Sequence, residues 1–189
     1  MADAPPMQAD LVIVGGARTA MAEYSGTPGF GKFKSVSAID LAAHAAKAAM
    51  ERAGVKPEMV DETFVGNAAQ SSSDAIYGAR HVALKAGVPT DKPALTVNRL
   101  CGSGIQSVVS AAHSILLGES KLCLAGGMEN MSQVPHVIRG AREGFRFGQE
   151  QKIEDLLFAA LYDPFCKFFM AQTAENVAKK IGISREEQD

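Results

Sequence analysis

The chain has 189 residues, a formal net charge of −2 and 47% hydrophobic residues with few aromatics, enough for one α/β domain with a core, or one domain and part of another. The near-neutral charge and the lack of a basic run exclude a nucleic-acid footprint, and no stretch approaches the roughly 18 apolar residues of a membrane span. Three cysteines without paired spacing point to a reducing compartment rather than a disulfide framework, so the expected location is cytoplasmic.

Met1 to Asp10 is Pro/Ala-rich and acidic, lacks the charged and apolar regions of a signal peptide, and reads as a short frayed tail. Leu11-Val12-Ile13-Val14 is an apolar run ending at Gly15-Gly16 and predicts a buried strand. Ala17 to Lys34 is rich in Gly, Ser and Pro and reads as an exposed loop. From Ser37 the spacing of Ile39, Leu41, Ala42, Ala45, Ala46, Ala49 and Met50 predicts an amphipathic helix, with Gly54 just past its end and Pro57 beyond the stop. Glu62 to Val65 predicts a second strand closed by Gly66-Asn67. Ser71 to Asp74 offers caps for a helix through Ala79, Val82, Ala83 and Leu84 to Gly87. Leu95 to Asn98 is a third strand, a third helix runs from Cys101 to near Gly118, and Lys121 to Ala125 is a fourth strand ending in Gly126-Gly127. Strands alternating with helices mean βαβ units and a mostly parallel sheet, whose reactive groups collect at the C-terminal strand ends.

From about Met128 the rhythm changes. Met128 to Gly148 carries Pro135, His136, Arg139, Arg142 and Arg146 among glycines and reads as a long loop. Ile153 to Tyr162 predicts a helix broken at Asp163-Pro164. Phe165, Phe168, Phe169 and Met170 form an apolar cluster, Ala174 to Ile181 a short helix, and Ser184 to Asp189 the first turn of a capped helix.

Cys101 stands out because it sits at a strand-to-helix turn with Gly102 and Gly104 after it. A helix N-terminus offers unpaired N–H groups and roughly half a positive charge, which favours a thiolate. Missing Cβ atoms on the two glycines leave room for a backbone or a substrate. The competing reading, a cysteine acting as a small buried hydrophobe, suits Cys123 in mid-strand and Cys166 among aromatics better. His44, His81 and His113 fall on helices and read as solvated or satisfied. His136, in a loop, is the one histidine with some claim to a site. The basic residues Arg139, Arg142 and Arg146 fit either a solvated face or phosphate contacts, and no metal-ligand spacing or Walker-type loop is present.

Asn98-Arg99-Leu100-Cys101-Gly102-Ser103-Gly104, together with Ala125-Gly126-Gly127-Met128-Glu129-Asn130-Met131-Ser132, resembles the N-terminal half of thiolases. Arg18-Thr19, Gly66-Asn67, Gly140-Ala141-Arg142, Thr173 to Ala178 and Arg185 to Asp189 support the resemblance in order and spacing. It implies a thiolase-like α/β fold, a mixed, mostly parallel sheet with helices on both faces, plus an irregular loop domain. It implies that Cys101 is the acyl-carrying nucleophile, and that its backbone N–H donates to an oxyanion hole, where one positioned donor is typically worth ~3 kcal/mol. Coenzyme A and acetyl-CoA are implied as substrates, with no covalently bound cofactor. Leu161 and Met170 match apolar positions lining the family's CoA and acyl pocket, while Phe169 replaces a histidine found in many relatives.

The family's Gly-His-Pro histidine, Asn-Glu-Ala asparagine and second, Cys-x-Gly cysteine do not occur in these 189 residues. The expected organisation is therefore an N-terminal domain over residues 8–127, the start of a loop domain over 128–189, and a C-terminal half outside this chain. The implied partners are acyl-CoA, CoA, a homodimeric or homotetrameric mate, and a possible C-terminal thiolase chain. Rival expectations are a ketoacyl synthase of the same fold and a catalytically silent half serving as scaffold or oligomerisation partner.

Overall fold

The structure is a computed structural model that describes residues 11–24, 28 and 31–189; the tail expected at Met1–Asp10 and part of the following loop lie outside the described residues. The chain divides into two compact units, Met1–Val134 and Pro135–Asp189.

In the first unit, helix α1 spans Ala38–Arg52 and starts where expected: the Ser37 hydroxyl accepts the Asp40 N–H, and Gly54, at φ +65°, follows the C-cap Ala53. Strand β1 is Glu62–Gly66, helix α2 Gly78–Ala86, strand β2 Ala94–Val97, helix α3 Ser103–Leu116 and strand β3 Cys123–Gly127. The three strands are parallel in the order β2-β1-β3, with Val65 opposite both Thr96 and Gly126. Alternation along β1 sends its side chains to two layers. Val65 joins Ile39, Met50, Val60, Ala79 and Val82 in a core built with α1 and α2. Glu62 and Gly66 meet α3: Ser114 donates to the Glu62 carboxylate at 2.8 Å, and a Cβ on Gly66 would lie 2.5 Å from the Ser103 carbonyl carbon. Helices thus cover both faces. Each fully buried Ile39, Val60 or Val82 stabilises this core by roughly 1.5–3 kcal/mol relative to exposure.

Two expectations for this unit are corrected. Leu11 to Val14 forms no strand; it is irregular and exposed, Ile13 at 85%. The reason is a missing neighbour. Val14 to Ala17 borders a groove of about 200 Å³ whose other walls are α1 and Leu122 to Gly127, so no ladder forms between them. The start of α2 is not capped by Ser71 to Asp74. Asp74 instead accepts from Ser72 and pairs with His81, and the N–H of Ala79 is taken by the Thr96 hydroxyl of β2 at 2.9 Å.

The second unit is built of short pieces. Strand β4 (His136–Ile138) pairs antiparallel with β5 (Ile153–Asp155), so the long loop expected there contains a ladder, and the helix expected from Ile153 begins later. Asp155 ends the ladder by accepting the N–H groups of Leu157 and Phe158, which starts α4 at Leu156–Leu161. Strands β6 (Tyr162–Asp163) and β7 (Phe168–Phe169) form a tight hairpin with Lys167 at φ +62°. Helix α5 covers Met170–Ile181, and α6, Arg185–Gln188, carries a complete capping box between Ser184 and Glu187. Phe158 and Tyr162 each pack on Phe169. Cys166 does not join that cluster; it is exposed, as is neighbouring Phe165.

Candidate active site

All three strands deliver their C-terminal ends to one edge of the sheet, as parallel pairing requires. Asn98 to Gly102 connect β2 to α3 there, and local polar groups hold this short turn. The Asn98 side-chain oxygen accepts the Leu100 N–H at 2.9 Å, and the Ser103 hydroxyl accepts the Arg99 N–H at 2.8 Å and donates to the Leu100 carbonyl. The N–H groups of Gly102 and Ser103 return to the Arg99 and Leu100 carbonyls at 3.0 and 3.1 Å. Leu100 is left-handed at φ +51°, a conformation that costs a β-carbon residue roughly 1–2 kcal/mol. Its side chain is largely solvent-exposed, so burial does not repay that cost; the clasp of Asn98 and Ser103 does. The outcome is an exposed Cys101 one residue before Gly102, the N-cap of α3.

Close packing sets the height of that turn. Gly66 lets the first turn of α3 sit directly on the end of β1, and a Cβ on Gly127 would lie 3.3 Å from the Cα of Gly104. Of the two glycines after the cysteine, a Cβ on Gly102 would lie 3.3 Å from the Arg99 carbonyl oxygen, while the Cβ position of Gly104 faces open space. Behind the turn, Glu129 reaches across from the end of β3. Its carboxylate accepts the Asn67 side-chain amide at 2.9 Å and the N–H groups of Ala68 and Ala69 at 3.0 and 3.1 Å. Asn98 donates to the Ala68 carbonyl at 3.3 Å, so the three strand ends are stitched together.

Cys123 lies in β3 beside the Ala111 carbonyl, and burial pushes its thiol up from the ordinary range, which suits packing. Leu161 ends α4 and Met170 begins α5; the Tyr162–Phe169 pair places them at adjoining ends of one hairpin in the second unit, both partly exposed. His136 is exposed on β4, opposite Asp155, and Arg139 pairs with Glu154 at 2.9 Å. Among the described residues no group of three His, Cys, Asp or Glu side chains could hold a metal ion, and no helix is long and apolar enough to cross a membrane.

A sequence model of the thiolase N-terminal domain matches residues 11–189. The chain belongs to the thiolase family. It is 48% identical over 179 residues to the mitochondrial 3-ketoacyl-CoA thiolase of Homo sapiens, covering 95% of this chain and 44% of the relative. It is 44% identical over 180 residues to an acetyl-CoA acetyltransferase of Cupriavidus necator, with the same coverages. The crystal structure of the human mitochondrial enzyme in complex with CoA superimposes with a TM-score of 0.84 at 48% identity, over 92% of this chain and 43% of that one. That of the Bacillus anthracis acetyl-CoA acetyltransferase gives 0.75 at 38% identity. The chain thus spans less than half the length of these thiolases.

The sequence singled out Cys101 directly. The parts played by Asn98, Ser103, Gly66 and Glu129 were not read from it, although all four lie in segments that carry the thiolase resemblance. The usable signal was polar side chains recurring at the ends of apolar strands, where buried backbone groups need partners.

Proposed function

We propose that this chain is the nucleophile-bearing part of an acyl-CoA C-acetyltransferase, with Cys101 as the acyl carrier. The observation that carries the reading is the exposed thiol held in a clasped, left-handed turn between β2 and α3 of a thiolase-family domain. In thiolysis the Cys101 sulfur attacks the 3-keto carbon of a 3-ketoacyl-CoA. The bond between C2 and C3 breaks, its electron pair is protonated at C2, and acetyl-CoA leaves. The thiol of a second CoA then attacks the acyl-cysteine and regenerates Cys101. The synthetic direction runs the same bonds backwards. Covalent catalysis of this kind divides one hard carbon–carbon step into two easier ones.

In this reading residues 8–127 form the domain carrying the nucleophile and 128–189 begin the loop domain covering CoA, with Leu161 and Met170 toward the acyl group. The base and the proton shuttle come from a C-terminal half outside these residues. A homodimer or homotetramer belongs to the same reading, as the thiolase resemblance implies. Three unpaired cysteines support a reducing compartment, for which we propose the cytoplasm; cell fractionation decides between it and the mitochondrion named for several relatives.

The test is an intact-mass census of every chain in the purified sample, run beside acetoacetyl-CoA thiolysis. A second chain with the missing histidine and cysteine, activity, and loss of that activity by at least a thousandfold in Cys101→Ala are the expected results. Full activity in Cys101→Ala overturns the mechanism. This chain alone, with no turnover and no acetylation of Cys101 by acetyl-CoA, leaves a silent scaffold as the better reading.

A further inference from the structure

Glu129 has no chemistry in the reaction as described, yet it is placed unusually for an acidic residue. It is half-buried, and its hydrogen-bond partners are the neutral N–H groups of Asn67, Ala68 and Ala69. Hydrogen bonds from backbone and amide N–H groups to a carboxylate are roughly twice as strong as neutral ones. They lock a three-residue segment whose central carbonyl, that of Ala68, accepts the Asn98 amide at 3.3 Å. The other end of the same Asn98 side chain fixes the Leu100 N–H at 2.9 Å. Leu100 is the strained residue immediately before the nucleophile. An unbroken path therefore runs from Glu129 through Ala68, Asn98 and Leu100 to Cys101.

We infer that Glu129 is a positioning residue for Cys101: by holding Asn67 to Ala69 it holds Asn98, and so keeps Leu100 left-handed and the thiol on line for a bound thioester. This rests on the assignment of Cys101 as acyl carrier. The function of Asn98 within the path is to read the position of Ala68 with its amide N–H and to impose it on Leu100 with its oxygen. A purely structural Glu129 would brace β1 against β3 without touching the reactivity of the turn toward an oriented substrate.

The experiment compares the parent chain with Glu129→Gln, Asn98→Asp and the double variant. Glu129→Gln keeps one acceptor but turns an NH2 group toward the Ala68 N–H. Asn98→Asp keeps the acceptor for Leu100 and loses the donor to Ala68. Acetylation of Cys101 by acetyl-CoA is followed by intact mass at pH 9, where an ordinary thiol is mostly ionised without a base. Alkylation by iodoacetamide, which needs no particular approach, is followed in parallel. The expected result is acetylation slowed at least tenfold in each single variant and no further in the double variant, with alkylation within twofold of the parent throughout. Non-additivity of this kind identifies one shared path. Acetylation within twofold of the parent in Glu129→Gln overturns the inference, as does full additivity in the double variant. If Glu129→Gln does not fold, Asn98→Asp alone decides: acetylation at the parent rate overturns the path. With the C-terminal half present, a parent chain that alkylates but never acetylates overturns the assignment of Cys101 itself, a different failure from a parent and variant that acetylate equally.

Discussion

Asp61 shows how much a single carboxylate contributes at the opposite end of the sheet from Cys101. One of its oxygens accepts the N–H groups of Lys121 and Leu122 at 2.9 and 3.2 Å, and the other faces Lys92. The two backbone N–H bonds, and then Lys92, hold its carboxyl below the ordinary value of 3.8. A pKa depressed in the folded state stabilises at pH values above the ordinary carboxylate range, and the contribution disappears as the pH falls through the lowered value. Because the group is about one-third exposed, solvent screening limits it. We expect Asp61→Asn to cost about 1 kcal/mol at pH 7, with the difference closing as the pH falls below the ordinary carboxylate range and Asp61 protonates. Urea unfolding of both chains, followed from pH 7 down through the acid range, checks this; a deficit that stays constant as the pH falls would show that charge is not the cause. At this scale Cys101 was legible because its residue type, glycines and strand-to-helix setting agree. Leu100 was not: leucine carries no signal for a left-handed backbone, and only the two polar neighbours that hold it there explain the conformation.

Elements were read well where local chemistry decides them and poorly where a distant partner does. Ser37 and Gly54 mark both ends of α1, and Ser184 with Glu187 marks α6, because caps are local. The start of α2 depends on Thr96, which lies 17 residues beyond Ala79 in β2, so the nearby Ser71 to Asp74 misled. The strand expected at Leu11 to Val14 has the right composition and no ladder to join. Contact between elements also assigns the glycines. Gly66 allows α3 to rest on the sheet, and an added methyl would lie 2.5–2.6 Å from the backbone of Ser103. Overpacking of this order costs roughly 1–3 kcal/mol, and here it lifts the helix that follows the nucleophile. Gly66→Ala should therefore lower the melting temperature by several degrees and slow Cys101 acetylation. Gly104→Ala, facing open space on the same helix, should hold or raise stability by up to about 0.5–1 kcal/mol. Thermal melts of the two variants side by side test the pair, and equal effects would mean that α3 does not seat on Gly66.

The two units differ in what holds them. The first has a continuous apolar core between α1, α2 and the sheet. The second contains no buried residue between Pro135 and Asp189, and Phe147 and Phe165 are almost wholly exposed. Short ladders and caps such as Asp155 and Ser184 define its shape, but caps and exposed ladders contribute only about 1 kcal/mol each. Its aromatic group, Phe158, Tyr162 and Phe169, gains from ring contacts without being enclosed. Local stability follows buried apolar contact, so opening free energies should differ sharply along the chain. Hydrogen exchange on this chain should show the amides of β1 and the interior of α1 and α3 protected by orders of magnitude more than those of β4 to β7. If the second unit is a cover that gains its stability from CoA or from a C-terminal half, adding either should slow exchange in α4 and α5 and leave β1 unchanged. Uniform protection across both units, with nothing added, would show instead that residues 135–189 form a self-sufficient fold, and the cover reading of the loop domain would fall with it.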